Sequence, residues 1–206
     1  MVDETTRLFV LAAPSGAGKT TLVHALTTKN PGLRFSISYT TRPQRSNEAD
    51  GVDYIFVDVD RFKQLEADGE LLEHATVFGN FYGTSRKQVE TILADGHNVL
   101  LEIDWQGAQQ VRESMPDCVT VFILPPSLQE LERRLRDRRT DSAEVIERRL
   151  GEAVSDIGRW GEFDYVIIND DLDRAVADLE AVLAGEGAKS STQDPDLQAK
   201  VREITG

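Results

Sequence analysis

The sequence predicts an α/β fold: a parallel sheet core with helices on both faces, carrying a small mixed α+β insertion. Two patterns point to it. Short unbroken apolar runs alternate with longer segments of helical spacing, as expected of central strands covered on both sides and joined by crossover helices. Between residues 34 and 84 that rhythm gives way to shorter segments parted by polar turns.

Leu8 to Ala12 (LFVLA) reads as the first strand, since nothing polar interrupts it and a Pro/Gly-rich turn ends it. A helix follows over Lys19 to Thr28. The insertion shows FSISY from Phe35, YIFV from Tyr54 and LLEHATVF from Leu71, with turns such as Ser46 to Gly51 between them. Buried strands resume at Asn98 to Ile103, Cys118 to Leu124 and Tyr165 to Ile168, alternating with helices over Trp105 to Ser114, Ser127 to Arg136 and Asp171 to Leu183. Ser127 with Glu130 has the spacing of a capping box, and Asp141 with Glu144 marks the next helix start. The stretch from Arg133 to Arg149 holds seven arginines and few apolar residues between Arg136 and Ala143, the composition of a mobile basic flap between two helices. After Leu183 the composition turns to GEGAKSSTQDPD, which reads as a linker before a last short helix over Leu197 to Ile204. The division expected is a core of 1–33 and 85–184, an insertion of 34–84 and a tail of 185–206.

Composition narrows the function classes. The 206 residues are 40% apolar and 29% charged, a globular balance, and no run approaches the roughly 18 apolar residues of a membrane helix. Met1-Val2-Asp3-Glu4 is acidic where a secretory signal is basic, so the expected location is cytoplasmic. A formal charge of −13 repels polyanions at long range. Nucleic acid and anionic membranes are therefore not expected partners, and an anionic substrate needs a local basic pocket. Cys118, the one cysteine, falls in an apolar run and reads as a small buried hydrophobe. His24, His74 and His97 are scattered, with no Cys/His cluster for a metal. Monomer and homodimer are both compatible with this composition.

Ala13-Pro14-Ser15-Gly16-Ala17-Gly18-Lys19-Thr20 lies between the first strand and the first helix, which is the context of a triphosphate-binding P-loop. Gly16 and Gly18 let backbone N–H groups turn onto phosphate oxygens, and the helix N-terminus adds its positive end. Lys19 is the residue for the β and γ phosphates of ATP, and Thr20 offers its hydroxyl to Mg²⁺. Ala13, Ser15, Ala17 and Thr21 complete the ATP contacts expected of the loop. Ala13 stands where the usual pattern has glycine, and it calls for negative φ there.

A P-loop names a superfamily, and the phosphoryl acceptor has to be read elsewhere. Arg42 and Arg45 lie three apart in SYTTRPQR, followed by Glu48, Asp53 and Tyr54; downstream come Glu73 and the run GNFYGTS with Tyr82 and Thr84. In these runs, and in EIDWQGAQQV, PPS-x-x-x-L-x-x-R-L and VIINDD, the sequence resembles the guanylate kinases from about Leu8 to Leu183, in the family's order. The resemblance implies a P-loop NTPase-type core with a GMP-binding insertion and a helical lid at about 133–149. It implies that Ser38, Glu73, Thr84 and Glu102 read guanine, and that Arg42, Arg45, Tyr54 and Tyr82 hold the monophosphate, with Glu48 and Asp104 in the same GMP site. It places Arg138 and Arg149 on the lid over ATP, with Arg134 assisting, and Asn169 near the adenine. Asp137 and Arg139 stand where many relatives have glycine, which makes the lid hinge stiffer.

The residue types suit those roles. Guanine presents donors at N1 and N2 and an acceptor at O6, so a carboxylate with hydroxyl donors matches it where adenine would not. Two guanidinium forks and two phenols suit a phosphate. Glu102 and Asp104, at the end of an apolar strand, sit where P-loop enzymes place carboxylates near metal and substrate; which of them approaches Mg²⁺ stays open at this point. The expected activity is ATP + GMP (or dGMP) giving ADP + GDP (dGDP), with Lys19, Arg42, Arg138 and Arg149 as the catalytic charges. Two rivals are a related phosphopeptide-binding module without catalysis, and a kinase for another small acceptor. Lys19 and Thr20 argue against the first, Glu73 with its hydroxyl partners against the second.

Overall fold

Five apolar residues in a row can form a strand only if both faces are covered, and Leu8–Ala12 (β1) is buried at every position. The computed structural model describes residues 6–77, 79–137 and 143–205. After β1 come α1 (Lys19–Lys29), β2 (Leu33–Phe35), β3 (Tyr39–Thr40), β4 (Ile55–Phe56), α2 (Val59–Ala67), β5 (Leu71–Val77), β6 (Asn80–Ser85) and α3 (Arg86–Ala94). Then follow β7 (Asn98–Glu102), α4 (Trp105–Ser114), β8 (Val119–Leu124), α5 (Leu128–Asp137), α6 (Ala143–Ile157), β9 (Tyr165–Ile168), α7 (Leu172–Leu183) and α8 (Pro195–Thr205). The strands form a parallel sheet in the order β2-β7-β1-β8-β9 and a mixed sheet in the order β4-β3-β6-β5. No helix among the described residues is long and apolar enough to cross a membrane. The chain divides into two compact units, one of Met1–Leu8, Gly32–Leu101 and Gln106–Cys118, the other of Phe9–Pro31, Glu102–Trp105 and Val119–Gly206.

In the second unit β1 pairs in parallel with β8, and β8 with β9, in registers Leu11↔Val121 and Ile123↔Ile167. Phe9, Leu11, Phe122 and Ile123 are almost wholly buried, consistent with strands covered on both faces. Ser127 caps α5 through its Oγ, which accepts from Glu130 N at 3.1 Å. The stretch after α7, read from composition as a linker, packs instead. A 3₁₀ turn spans Ala188–Ser190, Ser191 bridges Tyr165, and the Thr192 hydroxyl donates to Phe163 O at 2.8 Å. Ser190 and Thr192 are buried, as are Leu197 and Val201 of α8. Polar composition misled there because small hydroxyl residues can be satisfied by backbone carbonyls.

In the first unit the FSISY segment is split. Leu33–Phe35 pairs in parallel with β7, whereas Tyr39 and Thr40 pair with β4 and β6 in the mixed sheet. The insertion also contains α2, which the search for alternating segments passed over. Its signal was present: Asp58 caps it by accepting from Arg61 N at 2.7 Å, and Phe62 and Leu65, three apart, form its buried face. Phe62, Leu65 and Leu71 make a small core of their own, with Phe81 stacked on Phe62 at a centroid distance of 5.4 Å.

Gly83 sits at the tightest point of that core. A Cβ there would lie 3.0 Å from Leu71 Cδ1, 3.1 Å from Glu73 O and 3.1 Å from Phe62 Cζ. Gly83→Ala is expected to destabilise the protein by about 1–3 kcal/mol through overpacking, measured as a lower urea midpoint at an unchanged slope. Wild-type stability in that variant would mean that the β5–β6 hairpin spreads at little cost.

Candidate active site

The loop between β1 and α1 holds Gly16 at φ 92° and Gly18 at φ 89°. Space closes these positions as firmly as conformation does: a Cβ on Gly18 would meet Asn169 Nδ2 at 2.5 Å, and one on Gly16 would meet Leu131 Cδ1 at 3.0 Å. Gly18 precedes α1 without a capping side chain, and the positive end of that helix favours an anion there. The half-buried Ala13 and Ser15 lead into this turn, and Thr21 is exposed on the first turn of α1.

Lys19 Nζ donates to Ile103 O at 2.6 Å, and Thr20 Oγ1 donates to Glu102 Oε1 at 2.8 Å. The resemblance places Glu102 among the groups reading the acceptor base; here its Oε1 accepts from the hydroxyl of the triphosphate loop. Asp104 follows in the same unit. Burial, together with the charges of Asp104 and Glu152, raises the Asp156 carboxyl above its ordinary value, against a hydrogen bond from Trp105. The Arg159 guanidinium lies over the Trp105 ring, 4.4 Å from its centroid. A phosphate-bridging Mg²⁺ draws most of its ligands from phosphate and water, so a hydroxyl with a carboxylate beside it is sufficient protein. Thr20 and Glu102 fit that requirement.

Asn169 was expected near the adenine. Its side chain, 7% exposed, donates from Nδ2 to Ala17 O at 2.8 Å. Arg134 converges on the same carbonyl, donating from Nη1 to Ala17 O at 3.2 Å and from Nη2 to Asn169 O at 3.1 Å. Its Nε is held by Glu130 Oε1 at 2.8 Å. Glu130 and Arg134 are four apart on α5, the spacing of an ordinary helix-face pair; nothing in that spacing marks the other two bonds. Arg133 and Arg134 together hold the Glu130 carboxyl down at about 2. Arg149 lies half-buried on α6. Arg138 lies outside the described residues.

In the other unit, a bulge between Leu71 and Glu73 brings Glu73 opposite Thr84 across β5 and β6. Glu73 is 4% exposed and Thr84 is fully buried. The Thr84 hydroxyl donates to Glu73 Oε1 at 2.6 Å. Ser38, half-buried, lies just before β3.

Arg42, Glu48, Tyr54 and Tyr82 form a second cluster in that unit. Arg42 and Glu48 make a two-pronged pair, Nη2 to Oε1 at 2.7 Å and Nη1 to Oε2 at 3.1 Å, with Arg42 Nη1 also on Pro43 O at 2.8 Å. The guanidinium lies 5.4 Å from the Tyr54 ring centroid, and Tyr54 meets Tyr82 edge to face at 6.0 Å. Glu48 and then Tyr82 raise the Arg42 pKa, while Arg42 and the Arg45 N–H hold Glu48 below its ordinary range. Arg45 extends outward with its side chain 68% exposed. Glu48 was counted among the GMP contacts; its two oxygens are committed to Arg42 and the Arg45 backbone, and a carboxylate has no donor to give a phosphate.

The guanylate kinase family model matches residues 5–186. A guanylate kinase of Alkalilimnicola ehrlichii is 54% identical over 97% of this chain and 98% of its own length. One from Pseudomonas fluorescens is 48% identical over the whole of both chains. The crystal structure of guanylate kinase from Anaplasma phagocytophilum superimposes with a TM-score of 0.74 at 36% identity, covering 97% of this chain and 95% of that one. With the phosphate loop and the buried carboxylate in place, these matches lead to one conclusion: the chain belongs to the guanylate kinase family.

Proposed function

We propose that this chain transfers the γ-phosphoryl group of ATP to GMP or dGMP, giving ADP and GDP or dGDP, in the cytoplasm where those nucleotides are found. The observation that carries the acceptor's identity is the buried Glu73–Thr84 pair. A carboxylate at 4% exposure costs desolvation unless donors reach it, and guanine supplies them from N1 and N2. The Ser38 hydroxyl stands as a donor for the remaining base edge, while Thr84, whose one O–H goes to Glu73, holds that carboxylate in place. Adenine would bring an unprotonated ring nitrogen against the carboxylate. Mismatches of that kind can be rejected by roughly 10⁴ or more.

The monophosphate is taken by Arg42, Arg45, Tyr54 and Tyr82. Glu48 acts one step behind: it fixes the plane of the Arg42 fork, leaving Arg45 exposed for a ligand. On the donor side the N–H groups of the loop hold the phosphates, and Lys19 meets the β and γ groups. Thr20, with Glu102 beside it, would hold Mg²⁺, which would supply charge neutralisation on the ATP phosphates. Phosphoryl transfer is chiefly positioning and charge stabilisation. Arg42, Arg138 and Arg149 provide the positive charge around the moving group. No general base is required, since the accepting phosphate oxygen is already anionic. Asn169 and Arg134 keep the loop's shape.

A coupled ADP assay is expected to show fast turnover with GMP and dGMP and almost none with AMP, CMP or UMP; comparable rates with AMP would sink the base-reading argument. Lys19→Ala should lower kcat by roughly 10² or more while calorimetry still shows GMP binding, and near-normal turnover would remove Lys19 from the chemistry. Glu48→Ala should raise the KM for GMP about tenfold, as two charge-assisted bonds are lost, with the KM for ATP unchanged; a lower GMP KM would mean that Glu48 competes with the phosphate. Because Arg42 depresses the Glu48 pKa, the pair's contribution is complete above the ordinary carboxylate value and fades only as pH falls through the depressed one. The Glu48 contribution to the GMP KM should accordingly persist as pH falls through the ordinary glutamate value of about 4.3 and be lost only below it.

A further inference from the structure

Strand β5 carries Glu73 and lies at the end of its sheet, so one of its edges has no strand beside it. His74 pairs with Gly83 of β6 in the register, and its N–H and C=O face the open edge. Both are taken by one side chain. Gln110 Oε1 accepts from His74 N at 3.0 Å, and Gln110 Nε2 donates to His74 O at 2.9 Å. A primary amide offers one acceptor and one donor on the same plane, as a neighbouring strand would. Gln110 belongs to α4, within the EIDWQGAQQV run, whose glutamines have no part in the proposed function so far.

The position of this clamp matters because of what precedes it. The bulge between Leu71 and Glu73 shifts the pairing at that point, so the face on which Glu73 lies depends on the register held beyond it. A slip of one residue would carry Glu73 from the buried face to the other side of the sheet. Beyond the bulge Glu73 pairs with Thr84 and His74 with Gly83, so the residue Gln110 grips is the one next to the carboxylate. The His74 side chain is exposed, with Nε2 3.6 Å from Glu66 Oε1, so it is the backbone of this residue that is gripped.

We propose that Gln110 is a positioning residue for base selection: by clamping the backbone of His74 it fixes the register that aims Glu73 at the acceptor's base. This rests on the reading of Glu73 as the guanine carboxylate. Inosine monophosphate, which lacks the 2-amino group, serves as the probe for that aim.

Gln110→Ala is expected to raise the KM for GMP about tenfold, the loss expected for two hydrogen bonds, and to compress the GMP-over-IMP ratio of kcat/KM by a similar factor. The KM for ATP should stay within about twofold, and exchange of the His74 amide proton should accelerate. Gln110→Met, which keeps the length of the side chain and loses both bonds, should match Gln110→Ala and serves as the test if the alanine variant does not fold. Glu73→Gln should compress the GMP-over-IMP ratio alone, and adding Gln110→Ala to it should compress the ratio no further, since the two act as one unit. A folded Gln110 variant with an unchanged GMP KM and an unchanged base ratio overturns the clamp proposal while leaving Glu73 in its role. An unchanged ratio in Glu73→Gln overturns the base-reading assignment, and the clamp as a specificity device falls with it.

Discussion

A loop that turns its N–H groups toward phosphate must turn its carbonyls the other way, and those carbonyls then need donors from the rest of the chain. Ala17 O receives Asn169 Nδ2 and Arg134 Nη1. Those two bonds tie the loop to the end of β9 and to α5, and Glu130 completes the arrangement by holding Arg134. The left-handed glycines supply the shape, and the brace under Ala17 keeps it. Without such a brace, glycine-rich backbone would have many competing conformations. A preorganised anion site depends on removing them before the substrate arrives.

The acceptor unit solves a different electrostatic problem. The chain is strongly acidic overall, yet it must hold a phosphate dianion. Arg42 and Arg45 flank Glu48 in the local structure, so the cationic fork is oriented by an acidic neighbour and still leaves net positive charge. Glu73 is the reverse case, an acid kept from water and matched by the Thr84 hydroxyl. Charge neutralisation in the first cluster and hydrogen-bond pairing in the second separate affinity from selectivity, since phosphates are common to all nucleotides and base edges are not.

Much of this was legible in the residues. β1, α4 and β9 follow from apolar runs and helical spacing, because burial on both faces leaves a plain signature. The glycines of the phosphate loop were legible because only glycine takes their conformation freely. What stayed hidden was whatever depends on long-range partners. Nothing near Asn169 in sequence indicates that its amide meets a carbonyl 152 positions away. Lys19 finds Ile103 through a backbone oxygen, which has no residue code at all. α2 was hidden for a local reason: its two apolar anchors sit among charged residues, so the pattern is sparse. Composition misled in the tail, where glycines and hydroxyls read as slack chain although Thr192 and Ser190 are buried.

That tail has a meaning beyond its packing. β9 ends the strand order of the parallel sheet, and Ser191 pairs with its first residue, Tyr165. An outermost strand made of Tyr-Val-Ile-Ile is the kind of edge that recruits other chains into intermolecular sheets. By laying its own backbone against the first residue of that strand, the chain covers the start of an edge that would otherwise offer its backbone to a neighbour.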